Sequence, residues 1–394
     1  MPSHTHNTPA LRFPGYIGVW EQQKLDDLYI FAGSGGTPKS TNQQYYNGSI
    51  PFLGISDITG RDITQTKKTI TEEGLHHSTA WIVPAGAISL AMYASVGEIG
   101  ILTHDTATSQ AFYNMVFDDD RVRDFIYYRL FKAAEQAEYE PLISTGTQRN
   151  LNAEKIKNFT VQVTSVDEMG AIGHFFRKLD DLIGLHQRQT QKLTELKQGL
   201  LHEMFPREGE SVPQLRFPGF TDTWKQQNVG DIATIVGGGT PATTHSEYWN
   251  GTIDWYAPAE ITNQRYVSHS QRQITQLGLE KSSAQLLPAH KTVLFTSRAG
   301  IGKMAILQRE AATNQGFQSL VLHDDIDPYF IYSMNAILKK KAEKIAAGST
   351  FLEISGSHLA HIRITIPSLS EQKQIGSFFR TLDDRIHCHE QYTV

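Results

Sequence analysis

An internal repeat constrains the fold of this chain more than any other feature of its sequence. Leu11-Arg-Phe-Pro-Gly15 recurs as Leu215-Arg-Phe-Pro-Gly219, and a tryptophan follows each copy, at Trp20 and Trp224. Shorter matches continue in the same order: Gly36-Thr37-Pro38 with Gly239-Thr240-Pro241, Tyr45-Tyr46-Asn47-Gly48 with Tyr248-Trp249-Asn250-Gly251, Gly173-His-Phe-Phe176 with Gly376-Ser-Phe-Phe379, and Leu179-Asp-Asp181 with Leu382-Asp-Asp384. The period of about 203–204 residues is far too long for a solenoid. It therefore predicts a duplicated domain followed by a duplicated connector.

Each copy of the repeat mixes strand and helix patterns. Short apolar runs broken by glycine, at 88–102 and 293–307, are typical of strands and hairpins. Residues 124–131 and 329–338 have helical spacing, whereas 156–163 and 359–366 alternate like half-buried strands. We therefore expect each domain to be α+β, with a curved sheet and a few helices.

A long helix is predicted after each domain. Ser165 with Glu168, and Ser368 with Glu371, fit a capping box, in which the serine caps early N–H groups and the glutamate reaches back. Apolar residues then recur at a spacing of three to four, weaken at 186–190, and run to Pro206, before which the helix should end. Such a helix is a rod of roughly 60 Å.

A rod with one apolar stripe needs a partner helix, and the second copy's helix is the expected partner. The alternative is a helix packed on its own domain. The residues expected in this spacer or at a subunit interface are Ile172, Phe176, Leu179, Ile183, Leu193, Leu196, Leu200, Phe379 and Leu382.

The composition is that of an ordinary globular protein, with 394 residues, 39% hydrophobic and 20% charged. A net charge of −5 argues against non-specific coating of DNA but leaves local basic faces open. No apolar run suggests a membrane span, and the polar N-terminus does not read as a signal peptide. Cys388 is the only cysteine, so no internal disulfide or Cys-based zinc site is expected, and a reducing cytoplasm is the expected setting.

The ordered motifs resemble the specificity subunits of type I restriction–modification enzymes, from Leu11 onward. The likeness is carried by the two Leu-Arg-Phe-Pro-Gly motifs, Gly-Gly-Thr-Pro, the runs 294–303 and 313–317, and the long helix that ends Glu195-Leu-Lys-Gln-Gly-Leu-Leu-His-Glu-Met-Phe205. The resemblance implies an α+β protein with two target-recognition domains, each reading half of a split DNA sequence. It also implies two conserved helices, packed antiparallel as a coiled-coil spacer with pseudo-twofold symmetry.

The implied organisation is a polar tail (1–10), a first recognition domain (11–165), a central helix (166–206), a linker (207–214), a second recognition domain (215–367) and a C-terminal helix (368–394). The second helix departs from the pattern, because Val394 aligns with Gln191 and counterparts of 192–206 are absent from the sequence. It is therefore expected to be shorter than the first.

The same resemblance implies partners and cofactors. Double-stranded DNA would be the ligand, and no membrane would be involved. Two modification subunits that bind S-adenosylmethionine would dock on the chain, and restriction subunits that use ATP and Mg²⁺ would join them. The chain itself would have no catalytic residues and hold no cofactor or metal.

Bases are read in the major groove by paired donors and acceptors, such as Arg on guanine and Asn or Gln on adenine. The candidates in the second domain are Thr296, Ser297, Arg298, Lys303, Asn314, Gln315 and Gln318, with Arg265 and Arg272. Those in the first domain are Ser95, Ser109 and Gln110, and Arg298 is expected to align near Ser95 and Val96. Candidates for phosphate contact are Arg61, Lys67, Lys68 and Arg149. Alternatively, 108–110 and 313–315 hydrogen-bond their own loops.

Several patterns resemble catalytic motifs without completing them. The glycine-rich 33–37 and 237–240 lack the Gly-Lys-Ser/Thr ending of a phosphate loop, so tight turns are expected there. Asp327-Pro-Tyr-Phe330 lacks the second proline of an amino-methyltransferase motif and fits a helix start. The paired aspartates at 180–181 and 383–384 are expected on a solvated face or against a partner subunit.

Two other functions stay open. The first is a self-contained methyltransferase or nuclease, which a methyl-transfer assay on the chain alone would reveal. The second is a scaffold that binds no DNA, which sequence-selective DNA binding would exclude.

Overall fold

The computed structural model describes residues 9–145, 149–298, 300–347 and 352–392. It divides into two compact units, Met1–Gly184 and Leu185–Val394, and the division falls inside the long central helix. Most of the expected polar tail, 1–10, lies outside the described residues. In the described part of the chain, no helix is both long and apolar enough to cross a membrane.

Unit 1 is built from short strands and a few helices. Its strands are β1 (Glu21–Lys24), β2 (Phe31–Ser34), β3 (Tyr46–Leu53), β4 (Asp62–Ile63), β5 (Lys68–Ile70), β6 (Ile82–Val83), β7 (Ile88–Ala91), β8 (Ile99–Leu102), β9 (Thr106–Thr108), β10 (Phe112–Val116), β11 (Ser144–Thr145), β12 (Arg149–Asn150) and β13 (Thr160–Val163). Its helices are α1 (Glu72–His76), α2 (Asp120–Glu135), α3 (Ala153–Lys157) and the start of α4 (Val166–Met204). The sheets have the orders β2-β10-β7-β8-β4, β5-β3-β9-β6, β1-β13 and β11-β12.

Unit 2 repeats this plan. Its strands are β14 (Lys225–Asn228), β15 (Ala233–Gly237), β16 (Trp249–Tyr256), β17 (Tyr266–Val267), β18 (Arg272–Ile274), β19 (Thr292–Phe295), β20 (Met304–Leu307), β21 (Ala311–Thr313), β22 (Gln318–Leu322) and β23 (Arg363–Ile366). Its helices are α5 (Val229–Ile232), α6 (Gln276–Glu280), α7 (Pro328–Ser333), α8 (Asn335–Ile345), α9 (Gly356–Ala360) and α10 (Leu369–Glu390). The order β15-β22-β19-β20-β17 matches the large sheet of unit 1, strand for strand.

The glycine-broken apolar runs form the hairpins β7–β8 and β19–β20, as predicted. All residues of these four strands are buried, because a helix packs on one face of each large sheet and residues of other strands pack on the opposite face. Antiparallel pairing of Leu90 with Ile99, and of Leu294 with Ala305, sets the register of the two hairpins. The predicted α+β class with two duplicated domains is therefore confirmed.

The strands predicted at 156–163 and 359–366 begin later than expected. Asn152 caps α3 by accepting a hydrogen bond from the N–H of Lys155 at 2.9 Å, and Ser355 caps α9 by accepting from His358 at 3.2 Å. Each cap favours one helical turn before the strand. The run 329–338 likewise forms two helices, which meet at Met334.

The predicted capping boxes are wrong in their glutamate half, and in the second copy Ser368 makes no capping hydrogen bond either. Ser165 does accept from the N–H of Glu168, at 3.4 Å, but the Glu168 carboxylate binds Arg12 by two hydrogen bonds of 2.5 and 2.6 Å. Arg216 holds Glu371 in the same way, at 2.6 and 2.8 Å. A bidentate arginine is a stronger partner for a carboxylate than a backbone N–H, so the repeated Leu-Arg-Phe-Pro-Gly motif fastens to the start of each long helix.

Aromatic pairs complete this attachment. Phe13 lies edge-on to Phe175 at 5.6 Å, and Phe217 lies edge-on to Phe378 at 5.7 Å. The Arg12 guanidinium holds the pKa of the buried Glu168 carboxyl below its ordinary value of 4.5.

Candidate nucleic-acid interface

The turn that joins β19 to β20 holds four residues predicted to contact DNA. The Thr296 hydroxyl is buried, donates to the carbonyl of Gly300 at 2.7 Å and accepts from the N–H of Lys303 at 2.9 Å. Ser297 is also buried, and its backbone N–H donates a hydrogen bond to the carbonyl of Gly316 at 2.8 Å. Because a buried side chain presents no atom to a base, the structure assigns Thr296 and Ser297 to the turn and not to the predicted contact.

Arg298 and Lys303 lie on the partly exposed surface of this turn. Within the described residues, neither charge is recorded in an ion pair. Helix α8 abuts the turn so closely that a Cβ on Gly302 would lie 2.7 Å from the side chain of Lys339, which is exposed. We call Arg298, Lys303 and Lys339 the unit-2 basic cluster.

The equivalent turn of unit 1 joins β7 to β8. The hydrogen bond from Gly97 to the carbonyl of Ala91, at 3.0 Å, matches that from Gly302 to Thr296, at 2.9 Å. This register aligns Arg298 with Tyr93. The prediction that Arg298 aligns near Ser95 and Val96 was therefore wrong, because the second copy has two extra residues between its Gly-Thr-Pro motif and this turn.

The two turns differ in charge. The equivalent residues are Tyr93 and Arg298, Glu98 and Lys303, and Ala134 and Lys339. Ser95, the remaining candidate here, is half-buried, and its carbonyl accepts the N–H of Glu98 at 3.1 Å. Unit 1 therefore has an acidic turn where unit 2 has a basic one.

The Gly-Thr-Pro loop of each unit packs against the polar segment predicted to read bases. A Cβ on Gly35 would lie 2.2 Å from the carbonyl of Thr108, and one on Gly238 would lie 1.9 Å from the carbonyl of Asn314. Only glycine permits such an approach. These glycines therefore serve close packing and not the tight turns that were expected.

The same segments hydrogen-bond their own loops. The hydroxyl of Thr37 donates to Gln110, and the hydroxyl of Thr240 donates to Gln315. Ser109 is half-buried, and its carbonyl accepts from Phe112 at 3.2 Å. These contacts match the alternative interpretation, although both glutamines are exposed.

Asn314 shows the same local bonding in unit 2. It is half-buried, and its Oδ1 accepts from the N–H of Gly316 at 2.8 Å. Gln318 is half-buried in β22, opposite Gly237.

Arg265 is committed to an internal cluster. Its guanidinium lies 2.6 Å from Asp384, and the Tyr329 hydroxyl donates to Asp383 at 2.7 Å. Burial raises the pKa of Tyr329 above its ordinary value, and the adjacent carboxylate adds to this effect, so the hydroxyl stays a donor. The predicted contact of Arg265 with DNA is therefore not supported.

Unit 1 repeats this cluster. Arg61 pairs with Asp181 at 3.2 Å and with its neighbour Asp62 at 2.7 Å, while the Tyr128 hydroxyl donates to Asp180 at 2.7 Å. Asp181 and Asp384 are more than half exposed, as predicted for a solvated face, whereas Asp383 is buried. Contact with a partner subunit stays a prediction. The aspartate pairs also tie each domain to its own helix. The recurrence of Leu-Asp-Asp together with an arginine and a tyrosine could have indicated this.

Arg272 and the two lysines stay exposed. The Arg272 guanidinium lies 3.7 Å from the ring centre of Trp249 and 5.5 Å from that of Trp255, a cation–π contact that fixes its position. Lys67 donates to the carbonyl of Ser56 at 3.1 Å, and Lys68 is exposed on β5. The side chain of Arg149 lies outside the described residues.

The second half of α4 packs antiparallel to α10 within unit 2. The Nδ1 atoms of His186 and His389 lie 2.8 Å apart, and the Nζ of Lys197 pairs with the Oδ1 of Asp383 at 2.6 Å. Leu193 is half-buried, Leu196 is exposed, and Leu200 packs against the same core as Phe379. Phe379 and Leu382 are buried. This packing agrees with the predicted helix pair, and His186 accounts for the polar interruption of its apolar stripe.

The first half of α4 differs. Ile172 packs against the core of unit 1, but Phe176, Leu179 and Ile183 are exposed.

Asp327 caps α7 by accepting from Phe330 at 2.8 Å, as expected of a helix start. Among the described residues, no three His, Cys, Asp or Glu side chains are close enough to hold a metal ion.

The similarity to known proteins falls on both copies of the repeat. The sequence profile of the type I restriction modification DNA specificity domain matches residues 18–195 and again 221–393. The specificity subunit of the type I restriction enzyme MjaIX of Methanocaldococcus jannaschii is 35% identical over 167 residues, which are 41% of this chain and 38% of that protein. The EcoR124I/EcoR124II specificity subunit of Escherichia coli is 28% identical over 160 residues, or 39% and 38% of the two chains. The matches thus span less than two thirds of these relatives.

The fold extends the likeness to nearly the whole chain. The crystal structure of the type I restriction–modification S subunit from M. genitalium has a TM-score of 0.65 at 14% identity, and the match covers 98% of this chain and 95% of that one. At this identity the likeness concerns the fold alone. Because the profile matches both copies of the repeat over most of the sequence, the chain belongs to the family of type I restriction–modification DNA specificity proteins.

Proposed function

We propose that this chain is the non-catalytic, DNA-reading subunit of a type I restriction–modification enzyme and acts in the cytoplasm. The observation that carries the proposal is the duplicated specificity domain, in which both copies keep the same strand order but differ in the charge of one hairpin turn. Two domains of one fold with different surfaces suit a DNA target made of two different half-sites. The relatives named as specificity subunits of type I restriction enzymes support the same role.

In this proposal the unit-2 basic cluster and Arg272 face DNA. Arginine can bond guanine through two donors, and lysine contacts phosphates without reading sequence. The first domain presents Glu98 where the second presents Lys303, so the two domains would prefer different half-sites. The net charge of −5 favours weak binding by the chain alone.

Partners supply the chemistry. Two modification subunits that bind S-adenosylmethionine would methylate adenine in each half-site. Restriction subunits would hydrolyse ATP with Mg²⁺ and cut the DNA. The long helices would serve as spacer and docking surface, and this chain would hold no cofactor of its own.

Methylome sequencing tests the proposal. A host that expresses this chain with its modification subunit should gain a methylated-adenine motif of two short half-sites around a fixed gap, absent from the host without this chain. Replacing residues 11–165 by the corresponding domain of another specificity subunit should change one half-site only. Co-purifying subunits that leave no motif would refute the DNA-reading role, and failure to associate would favour the scaffold alternative.

A further inference from the structure

One exposed arginine of unit 2 is held in place by two aromatic rings. The Arg272 guanidinium lies 3.7 Å from the ring centre of Trp249 and 5.5 Å from that of Trp255. The two tryptophans are buried, with 7% and 4% of their surface exposed. Because 3.7 Å is ordinary contact between two carbon atoms, the flat face of the guanidinium rests on the ring of Trp249. Its N–H donors lie in the plane of that face and stay available to another partner.

The donors of Arg272 are not used inside the protein. Among the described residues, no ion pair or hydrogen bond of its guanidinium is recorded. Arg265, by contrast, is bound to Asp384 at 2.6 Å. Arg272 therefore presents an oriented fork of donors without an internal acceptor, which is the form in which arginine recognises the O6 and N7 atoms of guanine.

The same aromatic support also holds the Gly-Thr-Pro loop of unit 2. The Nε1 of Trp255 donates to the carbonyl of Gly239 at 2.8 Å. The next residue of this loop, Thr240, donates from its hydroxyl to the Oε1 of Gln315, which is exposed. Arg272 and the Gln315 amide are thus attached to one support, and both are side chains of the types that read bases.

Unit 1 has a different cation at the same place. The strand pairings set Lys68 against Phe52 in unit 1 and Arg272 against Trp255 in unit 2, so the two basic residues are equivalent. Phe52 has no ring N–H to hold the loop. In the part of the chain that the structure describes, no cation–π contact of Lys68 is recorded. Both units thus carry a basic residue at this strand position, but unit 2 also fixes its orientation.

We propose that Arg272 reads a guanine of the half-site bound by unit 2, and that Trp249 and Trp255 are positioning residues that fix its guanidinium for this contact. The proposal rests on the DNA-reading function proposed above and adds the base that one residue selects. A donor fork that is oriented before binding loses little conformational entropy on binding, which favours a specific contact. Lys68, the equivalent residue of unit 1, is a point charge that contacts a phosphate and selects no base.

The first test is methylome sequencing of a host that expresses the modification subunit with this chain or with one of its variants. Exchange of residues 215–367 identifies the half-site of unit 2, which should contain a guanine on one of its strands. Arg272→Ala should lower the discrimination for this guanine about tenfold or more, and should leave the other half-site unchanged. Lys68→Ala is the matched control at the equivalent strand position, and it should lower methylation without changing the motif.

Two further variants test the positioning role. Trp249→Leu keeps Arg272 but removes the ring on which it rests, so it should lose the same discrimination, whereas Trp249→Phe keeps a ring and should retain most of it. Circular dichroism of the purified variants shows whether unit 2 is folded. Arg272→Lys leaves the core untouched and keeps the charge without the fork, and it should also lose discrimination for the guanine.

A modified base identifies the contact itself. In competition binding by the assembled enzyme, the guanine is replaced by 7-deazaguanine, which lacks the N7 acceptor. The parent chain should bind the modified duplex about five- to tenfold more weakly, while Arg272→Ala should bind both duplexes alike. If Arg272→Ala leaves the motif intact, or lowers affinity equally for all sequences, the assignment of Arg272 is overturned and the DNA-reading function stands. If the parent chain directs no motif at all, that function is refuted and this proposal with it.

Discussion

Phe176 and Phe379 are equivalent residues of the repeat, yet their surroundings differ. Phe379 is fully buried against Phe205 and the core of unit 2, whereas Phe176 is 43% exposed and its ring lies tilted against that of Tyr128. The local sequence around the two phenylalanines is nearly the same. The burial of a helix face is therefore decided by the segment that packs on it and not by the face itself.

The turns of the hairpins β7–β8 and β19–β20 show a second difference between the two units. The attachment of Arg12 to Glu168 and the cluster around Tyr128 recur in unit 2 with nearly the same distances. The turns, by contrast, carry Glu98 in one unit and Lys303 in the other. Contacts that hold the frame are repeated, while exposed side chains that no packing fixes have diverged.

The largest expected effect compares alanine substitutions at the two equivalent phenylalanines. Phe379→Ala should lower the free energy of unfolding by about 3–5 kcal/mol, because it leaves a cavity in a packed core. Phe176→Ala should lower it by about 1 kcal/mol or less, since that ring is partly solvated already. Urea unfolding of both variants, followed by circular dichroism, measures the difference.

Leu196→Ala, at an exposed position of the same helix, is the control and should have little effect. Equal losses for the two phenylalanine variants would mean that the face around Phe176 is covered in solution. The comparison of the two helices would then fail.

The repeat and the order of its motifs predicted the architecture, because strand spacing, glycine-broken hairpins and apolar helical stripes are local signals. The roles of charged residues were harder to predict. Arg265 and Arg298 look alike in the sequence, but only Arg265 has an aspartate within reach on a distant helix. Thr296 and Ser297 were predicted to contact DNA, but both are buried. Their burial could not be predicted locally, because it depends on strands far away in the sequence.

The prediction of intermediate size concerns the stability of the fold at low pH. The pKa of Glu168 lies below its ordinary value of 4.5, so its bond with Arg12 stabilises the fold fully above that pH. This stability is lost as the pH falls through the lowered pKa, when the carboxylate takes up a proton. Glu168→Gln should therefore cost about 1 kcal/mol at neutral pH and much less in acid. Unfolding measured at neutral pH and well below pH 4.5 tests this, and a variant as acid-sensitive as the parent chain would contradict it.

The smallest expected effect separates the two hairpin turns. Lys303→Gln should weaken DNA binding of the assembled enzyme about threefold and lower its salt dependence by about one phosphate contact. Glu98→Gln at the equivalent position of unit 1 should strengthen binding slightly, because it removes a negative charge near DNA. Competition binding at several salt concentrations measures both.

Arg298→Gln distinguishes a phosphate contact from a base contact. Loss of discrimination in one half-site means that Arg298 reads a base, whereas a uniform loss of affinity across sequences means that it contacts a phosphate. If all three variants bind as the parent chain does, the turns lie away from DNA, and the difference in their charge has no part in recognition.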